Sequence, residues 1–143
     1  MSDQYVFHLS LPVLDLALSK AFYVEVLGAQ IGRENDAWLD VLLWGHQITL
    51  QNLPQDVLPP DRQGKRHFGV VLPWLEWERH ASRIRDLGFT FAAEPSVLLA
   101  GTTQEQAKFY LTDPSHNVIE VKAYRDVAGA LGVGDSEHGR PRN

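Results

Sequence analysis

Apolar and polar positions alternate from residue 5 to 11. Phe7, Leu9 and Leu11 fall on one side, His8 and Ser10 on the other, which is the period of a half-buried strand. Pro12 is expected to end that strand. Asp15 suits the N-cap of a helix running to Leu27, with Leu18, Ala21, Phe22 and Val26 as its apolar stripe and Gly28 as its stop. Short strands are predicted at about 30–33, 37–43 and 46–51, the last two joined around Gly45. Residues 52–65 have no period and carry several prolines, the composition of a linker.

The pattern then restarts. Phe68, Val70 and Leu72 alternate against His67, Gly69 and Val71, and Pro73 follows as Pro12 did. A helix to Leu87 and Gly88 buries Trp77, Ala81 and Ile84, and strands follow near 90–93, 98–100, 107–112 and 118–123. His8 and His67 stand 59 positions apart, and Gly28 and Gly88 stand 60 apart, the signature of an internal repeat. The reading is an α+β fold of two tandem β-α-β-β-β modules, at about 5–52 and 66–123, forming a cupped mixed sheet with helices on the outer face. One domain, 1–125, is followed by a tail, 126–143, with a short helix near 126–131 and partial disorder expected beyond it.

Composition narrows the class. A chain of 143 residues that is 44% hydrophobic can build a proper core, and its net charge of −5 argues against nucleic acid as a partner. No run reaches membrane-span length, no signal peptide is expected, and cysteine is absent. The expected location is the cytoplasm, with a small molecule as the partner.

The apolar side of each sheet must face its helix, which leaves His8, His67 and Glu120 together on the other face. Glu120 is an acid in the middle of an apolar strand, and such a carboxylate is exposed, paired or bound to metal. A lone strand histidine is more often structural than functional. Two histidines at equivalent repeat positions, with one carboxylate, form a donor set for a divalent metal that keeps coordination sites open. His46, His80, His116 and His138 fall in turns, on a helix or in the tail and are set aside.

With these residues in place, the chain resembles the vicinal oxygen chelate superfamily, which contains glyoxalases, bleomycin resistance proteins and extradiol dioxygenases. The resemblance runs from Tyr5 to about Arg125. It implies metal ligands at His8, His67 and Glu120, with a fourth family position at Thr49, where glyoxalases carry a carboxylate. The run YLTDPSHNVIE, Tyr110 to Glu120, is similar to the extradiol signature, in which the tyrosine hydrogen-bonds substrate. Tyr110 is therefore the expected catalytic residue. The signature has glycine where this chain has His116, and a histidine upstream where Gly101, Thr102 and Thr103 stand.

The resemblance implies a metal-dependent enzyme for a substrate chelated through neighbouring oxygens. Its extradiol-like form favours Fe(II), with Mn, Ni or Zn as other possibilities. A glyoxalase-type lyase or isomerase is the alternative, and a small-molecule binding protein without turnover is another. In the binding reading, Trp38, Asp40, Leu42 and Trp44, or the alternate set Ala37, Leu39, Val41 and Leu43, line the cup. A homodimer is expected, because short open sheets expose edges.

Overall fold

A computed structural model describes residues 4–133 of the chain. The tail's expected disorder, and His138, lie outside the described residues. The chain divides into two compact units, Met1–His67 with Thr112–Val118, and Phe68–Leu111 with Ile119–Asn143.

The first unit holds β1 (His8–Val13), α1 (Leu16–Ala21), β2 (Gln30–Glu34), β3 (Trp38–Leu43) and β4 (His46–Asn52). Its sheet has the order β1-β4-β3-β2, with β1 parallel to β4 and the other pairs antiparallel. The first strand starts three residues later than its alternation suggests and runs through Pro12 to Val13. Pro12 is tolerated because β1 is an edge strand, where one side of the backbone needs no ladder partner.

Asp15 caps α1 as expected, its Oδ1 accepting from the Leu18 amide at 2.8 Å. The helix then widens into a π-helical turn over Phe22–Val26. The buried stripe lies on the neighbouring face from the one the apolar pattern suggests. Ser19, Phe22, Tyr23 and Val26 are inside, whereas Leu18, expected there, is 59% exposed and Ala21 is also exposed. Below this helix Leu39, Val41, Leu43, Ile48 and Leu50 form the core of the sheet. Trp44 and Gly45 both have positive φ, 53° and 81°, making a two-residue hairpin turn of the type that matches strand twist. Trp44 thus leaves the alternation that the sequence pattern assigned to it.

The linker contains two single turns of 3-10 helix, Pro54–Asp56 and Pro60–Arg62, each opening on proline.

The second unit holds β5 (Phe68–Leu72), α2 (Trp74–Asp86), β6 (Ala93–Leu98), β7 (Gln106–Thr112), β8 (Val118–Tyr124) and α3 (Val127–Leu131). Its sheet order, β5-β8-β7-β6, repeats that of the first, again with the first and last strands parallel. The two strands expected near 90–93 and 98–100 are one, Ala93–Leu98. Pro95 interrupts its alternation but is accepted on an edge strand, and Leu99, at φ 54°, turns the chain away. On α2, Trp77, Ala81 and Ile84 are buried as predicted. The Trp77 indole donates to the Val121 carbonyl at 2.9 Å and packs on Phe109, ring centroids 5.7 Å apart.

Both modules therefore present the expected β-α-β-β-β order, each with a four-stranded mixed sheet.

Candidate functional site

The register of the two sheets sets the expected ligands in comparable places. In the first, Ser10 pairs with Thr49, two residues after His8. In the second, Gly69 pairs with Glu120, two residues after His67. Thr49 thus occupies in its sheet the position that Glu120 occupies in the other. Gly69 is required there, since a Cβ would overlap the Glu120 backbone.

His8 opens β1 and is exposed. Its Nδ1 lies 2.8 Å from Gln47 Oε1, the residue paired with it on β4. His67 sits one residue before β5 rather than within it, also exposed, with Nδ1 2.8 Å from the Lys65 carbonyl oxygen. An amide oxygen or a carbonyl can only accept, so in each neutral ring Nδ1 carries the proton and Nε2 the lone pair. That is the tautomer of an Nε2 ligand.

Glu120 is buried, 7% exposed. A carboxylate so enclosed needs partners. Tyr110, on the neighbouring β7, hydrogen-bonds it, and Lys122 Nζ is 3.7 Å from its Oε1. Burial, then the hydrogen bond to Glu120 and the carboxylate's charge, push the Tyr110 hydroxyl pKa up, with Lys122 opposing. Tyr110 therefore donates to Glu120 as a neutral phenol. The hydrogen bond with Tyr124, followed by the charge of Glu120, raises the Lys122 ammonium pKa against its partial desolvation, so Lys122 stays cationic.

Sequence reasoning offered Asp40 only as one of a set lining the cup in the binding reading, whereas it is 2% exposed. Its carboxylate accepts from Thr49 Oγ1 at 2.7 Å, Arg33 Nε at 2.9 Å and Gln47 Nε2 at 3.4 Å. The signal was present: WLDVLL carries an acid amid apolar residues just as VIEVKAY does. The alternation of β3 sorts accordingly. Leu39, Val41 and Leu43 are buried in the core rather than lining a site, while Trp38 is half-buried with the Arg33 guanidinium 5.2 Å from its ring centroid.

His46 accepts from the Phe7 amide, His80 binds the Glu76 carbonyl and His116 occupies a turn. Among the described residues no group of three or more His, Asp or Glu side chains is assembled so as to hold a metal ion. Among the same residues no helix is long and apolar enough to cross a membrane.

Two tandem modules of this order, with an acid on the last strand of the second, define a class of protein rather than one activity. Residues 5–121 match the family model of the Glyoxalase/Bleomycin resistance protein/Dioxygenase superfamily, and the chain belongs to that superfamily. It is similar to catechol-2,3-dioxygenase of Bacillus subtilis (strain 168), 28% identical over 130 residues that cover 86% of this chain and 42% of that protein. The chain thus spans less than half of that relative's length. Among solved structures, a glyoxalase/bleomycin resistance protein/dioxygenase from Alicyclobacillus acidocaldarius matches with TM-score 0.75 and 28% identity, covering 85% of this chain and 92% of that one. Lactoylglutathione lyase from Agrobacterium tumefaciens shares the fold alone, at TM-score 0.61 and 16% identity over 86% of this chain and 95% of that one.

Proposed function

We propose that this protein is a divalent-metal-dependent enzyme of extradiol-dioxygenase type, acting on a small substrate chelated through vicinal oxygens. The observation that carries the reading is the state of the two imidazoles. His8 and His67 each commit Nδ1 to an acceptor, which makes Nε2 the lone-pair nitrogen of both rings. With the Glu120 carboxylate they supply two neutral nitrogens and one anionic oxygen, a donor set suited to Fe(II) and also open to Mn(II), Ni(II) or Zn(II). Such an ion supplies Lewis acidity toward two substrate oxygens and, as Fe(II), the redox capacity that dioxygen chemistry needs.

The chain's own residues do the positioning. Tyr110 stays a neutral phenol and can hand its hydrogen bond from Glu120 to a substrate oxygen. Lys122 keeps its positive charge beside Glu120 and favours a substrate that arrives as an anion. The similarity to the Bacillus subtilis catechol-2,3-dioxygenase is in keeping with this chemistry.

The runner-up, a glyoxalase-type lyase, needs a base to move a proton between carbons. Thr49 stands where that carboxylate would be, and its hydroxyl is already given to Asp40. We take the assembly to be a homodimer, to be checked by sedimentation at micromolar concentration; a monomer there overturns that part.

The functional test is anaerobic loading with Fe(II), then catechols and air. Oxygen uptake with a yellow ring-opened product is expected. Silence across a broad catechol panel, with turnover of the methylglyoxal–glutathione adduct under Ni(II) or Zn(II), replaces the proposal with the lyase. Binding of small aromatics with no turnover in either assay replaces it with a binding protein.

A further inference from the structure

A buried carboxylate of the first unit reaches His8 through one intervening amide. Asp40 on β3 is acceptor-only while paired with the Arg33 guanidinium 2.9 Å away, and it takes the Thr49 hydroxyl on its other oxygen. Gln47 lies between Asp40 and His8. Its Nε2 is 3.4 Å from Asp40 Oδ2, and its Oε1 is 2.8 Å from His8 Nδ1. The amide has one sensible orientation, because turning it over would set Oε1 against a carboxylate oxygen in a nearly water-free spot. With Oε1 aimed at the ring, His8 Nδ1 must carry the proton.

We infer that Asp40 is a positioning residue, which acts through Gln47 to hold His8 in the Nδ1–H tautomer and so presents Nε2 as its lone-pair atom. Its bearing on function rests on the metal reading above, whereas the tautomer does not. His67 obtains the same tautomer from a backbone carbonyl that no side-chain substitution alters. It is therefore an internal reference within the same spectrum. The module repeat thus reaches one imidazole state by two routes, a main-chain acceptor in one case and a three-residue side-chain relay in the other.

The experiment is 15N NMR of the imidazole nitrogens in metal-free protein, in alkaline buffer so that free imidazoles are neutral. In the wild type, His8 Nδ1 is expected at the protonated, pyrrole-like shift and Nε2 at the pyridine-like shift, with His67 the same. In Asp40→Ala, Gln47 Nε2 loses its acceptor and the amide is free to present either end to His8, whereas an asparagine would keep an oxygen toward Arg33 Nε and Gln47 Nε2. The two His8 shifts should then move toward each other while those of His67 stay. Gln47→Leu, which leaves the Asp40–Arg33 pair intact, should remove the single-tautomer signal of His8. Thr49→Val should leave it unchanged. A wild-type His8 protonated on Nε2, or a single-tautomer Nδ1–H signal that persists in folded Asp40→Ala or Gln47→Leu protein, overturns the inference.

Metal affinity provides the second readout. Loss of an outer hydrogen-bond partner typically weakens a metal site by about 10–100-fold, and Asp40→Ala is expected within that range for Zn(II). Because the tautomer is read without metal, failure of the wild type to take up any ion overturns the metal reading and leaves the tautomer assignment standing.

Discussion

Tyr23 donates its hydroxyl to Asp113 across 2.8 Å, a bond between two buried side chains 90 positions apart in the chain. The same carboxylate accepts from the Ser115 and Asn117 amides at 2.8 and 2.9 Å and from Asn117 Nδ2 at 2.9 Å. Four donors thus satisfy Asp113, which lies in the turn leading into the strand that carries Glu120. Tyr23 itself lies in the π-helical turn.

Tyr23→Phe removes one donor from a buried carboxylate and should cost about 2 kcal/mol, read as a lower urea midpoint at unchanged slope. A pH series adds a sign. Burial, reinforced by the charge of Asp113 and the hydrogen bond to it, raises the Tyr23 pKa well above its ordinary value of 10.0. The folded state therefore keeps its proton after the unfolded chain has begun to ionise. The stabilisation is full below pH 10 and is lost as pH climbs toward the folded value. Between pH 10 and the folded value, wild-type stability should fall by about 1.4 kcal/mol per pH unit for this group, and the phenylalanine variant should lack that part of the slope.

Gly69→Ala tests the close approach of β5 to β8. The added methyl would overlap the Glu120 backbone, and the strands must part to admit it. A loss of about 3 kcal/mol or more is expected, with circular dichroism and thermal melting as the check. Gly45→Ala, where nothing crowds a Cβ, should suffer only the strain of its positive φ.

His116 sits at φ 70° at the end of the turn begun by Asp113, the His116 amide donating to the Asp113 carbonyl at 3.1 Å. That is the position where glycine is preferred. Left-handed backbone costs an ordinary residue about 1–2 kcal/mol, and glycine gives back about 0.5–1 kcal/mol in unfolded-state entropy. His116→Gly should therefore raise stability by up to about 1 kcal/mol. Activity should be unchanged, because His116 serves the turn.

One divalent ion per chain is expected on the proposed ligands. Glu120→Ala should lower affinity by more than the roughly 100-fold upper range of outer-partner effects. His80→Ala, whose ring is tied to the Glu76 carbonyl on α2, should change nothing. Elemental analysis of untagged protein is the check, and equal metal content in both variants would contradict the assignment. Tyr110→Phe should slow turnover more than it weakens metal binding.

Periodicity was enough to establish the repeated modules, the Asp15 cap, the buried face of α2 and the turn at Asp113, because each depends on neighbours a few residues away. The parity that sets His8 and Glu120 apart from their apolar neighbours follows from the same alternation. Tertiary structure decided what local patterns do not encode. Pro12 continues a strand because β1 lies at a sheet edge, and Pro95 does so on β6 for the same reason. Leu18 and Ala21 are outside because packing buries the neighbouring face, Ser19, Phe22, Tyr23 and Val26, whose spacing is equally helical. Asp40 looked like one more alternating residue until strand pairing set it opposite Thr49 and one amide away from His8. Partners of a buried charge come from adjacent strands, so strand order and register decide them, and neither is written in the spacing of one segment.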